Sequence, residues 1–123
     1  MQHKRKERVG DQIRKEVSYI IQSELKDPGI GFVTITDVEL SEDLKSARIF
    51  YSVFGDEKNK LDSSRALQRA IFFVQREIGK RMRLKYTPRI RFIFDESVER
   101  GARIEKTLKQ LRSSETKEEK DDS

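Results

Sequence analysis

The chain has 123 residues, 40% of them charged and 34% hydrophobic, with a net charge of +5 and neither cysteine nor tryptophan. That length suits one domain with a real core, and the lack of cysteine excludes a disulfide framework and any thiolate metal site. The longest uninterrupted apolar run is "AIFFV" at 70–74, too short for a membrane span of about 20 residues or a signal core of about 7, so a cytoplasmic setting with no membrane partner is expected.

Charge is unevenly spread. The last nine residues, "ETKEEKDDS", carry five acids and two bases, which leaves residues 1–114 with 25 basic and 17 acidic side chains, or +8. A basic body of this kind points to a polyanionic partner, nucleic acid first.

In chain order, "MQHKRKE" has no apolar anchor, and residues 1–7 are expected to form a flexible basic tail. From Arg8 to Lys26, Val9, Ile13, Val17, Ile20, Ile21 and Leu25 recur at helical spacing. "KDPG" at 26–29 stops that helix, because the residue before proline is pushed out of the α region. "GFVTITDVEL" (31–40) is a strand in which Val33 and Ile35 have one parity and Val38 and Leu40 the other, so a bulge is expected near Asp37. "SEDLKS" turns the chain into "ARIFYSVFG" (47–55), whose alternation marks the second strand of an antiparallel pair.

After the polar "DEKNK", Asp62 or Ser63 is the expected cap of a long helix reaching about Met82, with Leu67, Ile71, Val74, Ile78 and Met82 on one stripe. Twenty residues is long for so small a domain, and a bend or break is expected. Pro88 opens a third strand in which Ile90, Phe92 and Phe94 alternate with Arg89 and Arg91. A basic helix over roughly Val98 to Leu111 closes the fold, and residues 113–123 read as a disordered acidic tail. The result is one α+β domain over 8–112, with helices on one face of a three-stranded sheet plus a C-terminal helix.

Catalytic material is thin. His3 is the lone histidine, Ser41, Ser52 and Ser63 have no base to activate them, and the acidic groups Asp37/Glu39/Glu42 and Asp95/Glu96/Glu99 read as solvated strand ends. No phosphate-cradling glycine motif occurs, so no enzyme, metal or cofactor is expected. The stronger signal is "GKRMRLKYTPRIRFIF" (79–94), where Lys80, Arg81, Arg83, Lys85, Arg89 and Arg91 fall within twelve positions with no acid among them. On the strand, the arginines share the face opposite Ile90 and Phe92, so one side packs the core while the other points outward. The unbalanced positive potential favours polyanion binding over a merely solvated face. Lys4, Arg5, Lys6 and Arg8 extend the candidate patch, as does the basic stretch 100–112. Tyr86 reads as packing rather than base stacking, and Tyr19 and Tyr51 as partly core.

Two long passages resemble the bacterial ribosome-binding factor A family. One is "ELKDPGIGFVTITDVELSEDLKSARIFYSVF" (24–54), with its "KDP" turn and "T-x-V-E-x-S-x-D-L" run; the other is "ALQRAIFFVQREIGKRMRLKYTPRIRFIFDESVERGARI" (66–104). The resemblance implies a KH-like fold of type II order, helix–strand–strand–helix–kink–helix–strand. In such a fold Ala70 of "LQRAI" stands where single-strand-clamping KH domains carry GxxG, which this chain lacks; that clamp is not carried over. It also implies an assembly factor that binds free or immature small (30S) ribosomal subunits and their 16S rRNA, supporting late maturation, rRNA 5′-end processing and growth in the cold. A monomer is expected, with the basic residues above contacting RNA phosphates. The alternatives are a general nucleic-acid-binding domain and a protein-interaction adaptor with a basic face.

Overall fold

In a computed structural model that describes residues 2–97 together with Leu108 and Leu111, the elements run α1 (Gln2–Ser23), β1 (Phe32–Leu40), β2 (Ser46–Phe54), α2 (Glu57–Arg69), α3 (Ile71–Arg81) and β3 (Arg89–Phe94). The C-terminal helix expected near 98–111 and the acidic tail lie outside the described residues, those two leucines apart.

Helix α1 begins at Gln2, so residues 2–7, read as a tail, are helical; it ends at Ser23, three residues before the expected Lys26. Its close is made by the Ile20 carbonyl, which accepts from both Glu24 and Leu25 N–H. The Asp27 carboxylate then takes the Gly29 N–H at 2.9 Å and pairs with Arg69 Nε at 3.0 Å, pinning the "KDPG" turn to the end of α2. Hydrogen bonds from Arg69 first, then from the Gly29 backbone, hold this carboxyl below its ordinary range.

Strands β1 and β2 pair antiparallel and β2 and β3 parallel, giving the order β1-β2-β3. The register shifts between Ile35 and Asp37, which turns both Val33/Ile35 and Leu40 toward the core despite their opposite parity. The extra residue, Thr36, donates its hydroxyl to Asp95 at 2.6 Å, tying the bulge to the end of β3.

Helix α2 starts earlier than Asp62. Its cap is Asp56, in a reciprocal capping box with Asn59. Ser63 is instead wholly buried, its Oγ accepting the Gly31 N–H at 3.1 Å. The long helical pattern breaks at Ala70, the C-cap of α2 and the N-cap of α3, 6% exposed and in an αR conformation. A short side chain there lets Leu67 of α2 and Val74 and Ile78 of α3 all enter one core with Ile13, Val17 and Ile20 of α1 and the inner face of the sheet. Tyr51 sits in that core, edge-on to Phe92 and Phe94. Tyr19 does not; more than half exposed, it lies under the Arg81 guanidinium.

Candidate RNA-binding surface

The segment between α3 and β3 is held by its apolar residues and presents its polar ones. Met82 and Pro88 are buried and Leu84 packs against the core, while Arg83, Lys85 and Tyr86 between them are exposed. Gly79 permits this return: a Cβ there would stand 2.7 Å from Thr87 Oγ1, inside any normal contact. On β3 the alternation continues, with Ile90 and Phe92 inward and Arg89 and Arg91 outward.

Six basic residues read as uncompensated divide into two groups. Arg81 is drawn inward, its guanidinium bonded to Glu24, 3.3 Å from Glu16 and 3.6 Å from Glu77. Burial works against its charge, but the bonds to Glu24 and Glu16 outweigh burial and raise its pKa. It is a tie between α1 and α3 rather than a free cation. Lys80 is exposed, with Glu77 3.7 Å away. Arg83, Lys85, Arg89 and Arg91 have no carboxylate within ion-pair distance among the described residues, and they carry the outward charge.

Two cations join them that the sequence pattern did not single out. Lys45 and Arg48 lie on and just before β2, where parallel pairing sets Arg48 opposite Arg91 and Ser46 opposite Arg89. The Lys45 ammonium stands 5.3 Å from the centre of the Tyr86 ring and that of Lys85 5.6 Å, so the tyrosine is flanked by two charges. Tyr86 is 56% exposed and is not packing material. Arg48 is partly committed, paired with Glu39 and lying over Phe50. The β2–β3 register is the signal that finds it, since Arg48 is then seen in line with Arg91.

The N-terminal basic residues ride on the first turns of α1. Lys4, Arg5 and Arg8 are exposed, and Lys6 bonds Glu42 at 2.9 Å. Lys6, Arg48 and Arg91 line one recess of about 520 Å³ near the end of β1, so this part of α1 reaches the strand patch. Among the described residues no group of His, Cys, Asp or Glu could hold a metal ion, and no helix is long and apolar enough to cross a membrane.

Helix–strand–strand–helix–helix–strand with the helices on one side of a mixed sheet defines an α+β domain of the KH-like class, here with an alanine break in place of the GxxG turn. The family model of ribosome-binding factor A matches residues 5–108, and the chain belongs to that family. Ribosome-binding factor A of Natranaerobius thermophilus is 49% identical over 107 residues, covering 87% of this chain and 82% of the relative. The crystal structure of ribosome-binding factor A from Thermus thermophilus superposes with a TM-score of 0.64 at 27% identity, over 72% of this chain and 93% of that one. A homology model of the Thermus protein, fitted into the cryo-EM map of its complex with the 30S subunit, gives a TM-score of 0.59 at 26% identity over 71% and 91%.

Proposed function

We propose that this chain is a non-catalytic assembly factor of the small ribosomal subunit, a cytoplasmic monomer that binds free or immature 30S particles through their 16S rRNA. The observation that carries the reading is the set of four outward cations, Arg83, Lys85, Arg89 and Arg91, on a scaffold whose apolar residues fix their positions. Lys45 and the basic first turns of α1 enlarge that field, with Lys4, Arg5, Lys6 and Arg8 as its second group of contacts. Such a surface binds by releasing counterions from phosphate and by fitting the shape of folded RNA. The family relation and the 30S complex of the Thermus protein support the choice of partner. Late maturation, 5′-end processing of the rRNA and growth in the cold follow from the family resemblance.

The test is co-sedimentation with purified small subunits, large subunits and intact ribosomes. Wild type is compared with a variant carrying Glu at 83, 85, 89 and 91, Arg81 being left in place because it holds α1 to α3. Small-subunit binding that is selective, lost in the variant and weakened by salt with a log–log slope of about −3 for four phosphates is the expected result. Equal binding to every particle would reduce the chain to a general nucleic-acid binder. Capture that survives removal of the RNA would make it a protein adaptor.

A further inference from the structure

The helices pack the inner face of the sheet, and its outer face divides into two halves of different character. One half carries Arg48, Arg89 and Arg91. On the other, Phe32 of β1 and Phe54 of β2 stand directly opposite each other, 79% and 82% exposed, more than any other large apolar residue described. At roughly 200 Å² per ring, the pair bares about 300 Å² of apolar surface, the scale of the largest patch on a typical soluble monomer. Phe50 and Ile93, neighbours across β2 and β3 and partly exposed, continue it inward, and Arg48, lying over Phe50, marks the border. The strands place acids but no base on this half. Asp37 is opposite Phe50. The Asp95 N–H bonds the Tyr51 carbonyl at 2.7 Å, which sets Asp95 beside Ser52, and its carboxylate takes the Thr36 hydroxyl across β2. Such a surface repels phosphate and suits a segment that is both basic and apolar.

The chain itself carries one, and it follows directly on β3 at that end of the sheet. Residues 98–112 hold five bases and two acids. Ile104, Leu108 and Leu111 recur at i, i+4 and i+7, and the two leucines, both helical, are 48% and 55% exposed. On a helix of 3.6 residues per turn those three share one side, while Lys106 and Lys109 fall on the opposite one. The lengths agree. Ile104 to Leu111 spans about 10 Å of helix at 1.5 Å per residue, and Phe54 to Phe50 about 13 Å of strand at 3.3 Å per residue. From Asp95 to Ile104 a helical chain advances about 13 Å, against about 10 Å for the two strand spacings that separate β3 from β1.

We infer that residues 98–112 pack as an amphipathic helix on the outer face of the sheet, with Ile104, Leu108 and Leu111 over Phe32 and Phe54. Arg103 and Arg112, on the flanks of that stripe, then lie toward Asp37 and Asp95. Two uncovered apolar sets of one chain cover each other, and the sheet is packed on both faces. A second copy would instead bring two acid-bearing faces together, and an RNA strand would set its phosphates against the same acids. The packing does not depend on the ribosomal-RNA reading above, but it bears on it. Lys106 and Lys109 stand outward, so the half of the face that lacks a base gains positive charge continuous with Arg48 and Arg91.

The chain has no tryptophan, so Phe54→Trp places a single reporter on this face, outside the core. In the full chain its emission is expected to be blue-shifted and poorly quenched by acrylamide. Adding Leu108→Asp and Leu111→Asp is expected to shift it to the red and raise quenching to the level of Phe72→Trp, a reporter at a position 76% exposed on α3. That second reporter should not respond to the leucine changes. In the unmutated chain, nuclear Overhauser contacts between the Leu108 and Leu111 methyls and the Phe32 and Phe54 rings are expected, so a tryptophan that disturbs the seat does not decide the matter alone. A reporter open to solvent, with no such contacts, overturns the inference. So does shielding that survives the leucine changes. Shielding that fades on dilution assigns the face to a second copy, and shielding that arises only when small subunits are added assigns it to the subunit; either result also overturns the inference, and neither touches the assembly-factor reading.

Discussion

Gln75→Ala removes the side-chain acceptor of the Ile90 N–H, a 2.8 Å bond between the middle of α3 and the start of β3. Breaking a bond of this kind costs about 1 kcal/mol net. Alanine is the better helix former and returns roughly a few tenths of that, so Gln75→Ala alone is expected to destabilise by only about 0.6 kcal/mol. The control is Gln68→Ala, an exposed position on α2 with no side-chain hydrogen bond among the described residues, which should show the propensity gain by itself. The difference between the two variants isolates the bond: about 1 kcal/mol in urea unfolding, or about 4–8 °C in melting temperature for a domain of this size. Gln75→Glu keeps an acceptor at the same reach, makes it anionic, and lies near Arg89 and Arg91. It should match or exceed wild type at pH 7. If Gln75→Ala and Gln68→Ala agree within about 0.3 kcal/mol, the margin for independent sites, the bond contributes nothing and α3 is held to β3 by packing alone.

Three further outcomes are expected. Asp27→Asn should lose stability at neutral pH; because Arg69 and the Gly29 N–H depress the folded-state pKa, that contribution is full above the ordinary value near 3.9 and fades as pH falls through the folded value. The gap between wild type and variant in urea midpoints should therefore close below about pH 4. Arg81→Gln should lower the unfolding midpoint while leaving the salt slope of subunit binding unchanged, since its guanidinium is held by Glu16 and Glu24. Asp56→Ala should cost about 1 kcal/mol in thermal or urea unfolding, whereas Asp62→Ala should cost almost nothing, because the capping box is at Asp56 and Asn59.

Periodicity alone placed α1, the hairpin and β3, because each buries a stripe at its own spacing; the break in the long helix was expected from its length, and its place at Ala70 from the family resemblance. The bulge was legible for the same reason: Ile35 and Val38 could both face inward only if one residue was left over, and Thr36 is that residue. Element ends were less visible. Lys4, Arg5, Glu7 and Arg8 are exposed, so the helix was expected only from Arg8 though it begins at Gln2. "DEKN" looked like loop because a capping box is polar, and the Asp56–Asn59 pair within it was the available signal. The candidate surface was readable as a run of charge but not as a division of labour. Glu16 and Glu24, which engage Arg81, lie 65 and 57 positions away. Lys45 and Arg48 join the patch only through the parallel register of β2 with β3.

The break at Ala70 also bears on what binding costs. Its methyl is buried, its N–H bonds the carbonyls of Ala66 and Leu67 at 3.1 Å, and its own carbonyl receives the Val74 N–H. A glycine here would have made a hinge; this is an elbow set at one angle. A protein with a stiff elbow presents the same contour before contact as after, and forfeits little conformational freedom when it docks. Adaptation then falls on the other molecule, which must take up the contour the domain already offers.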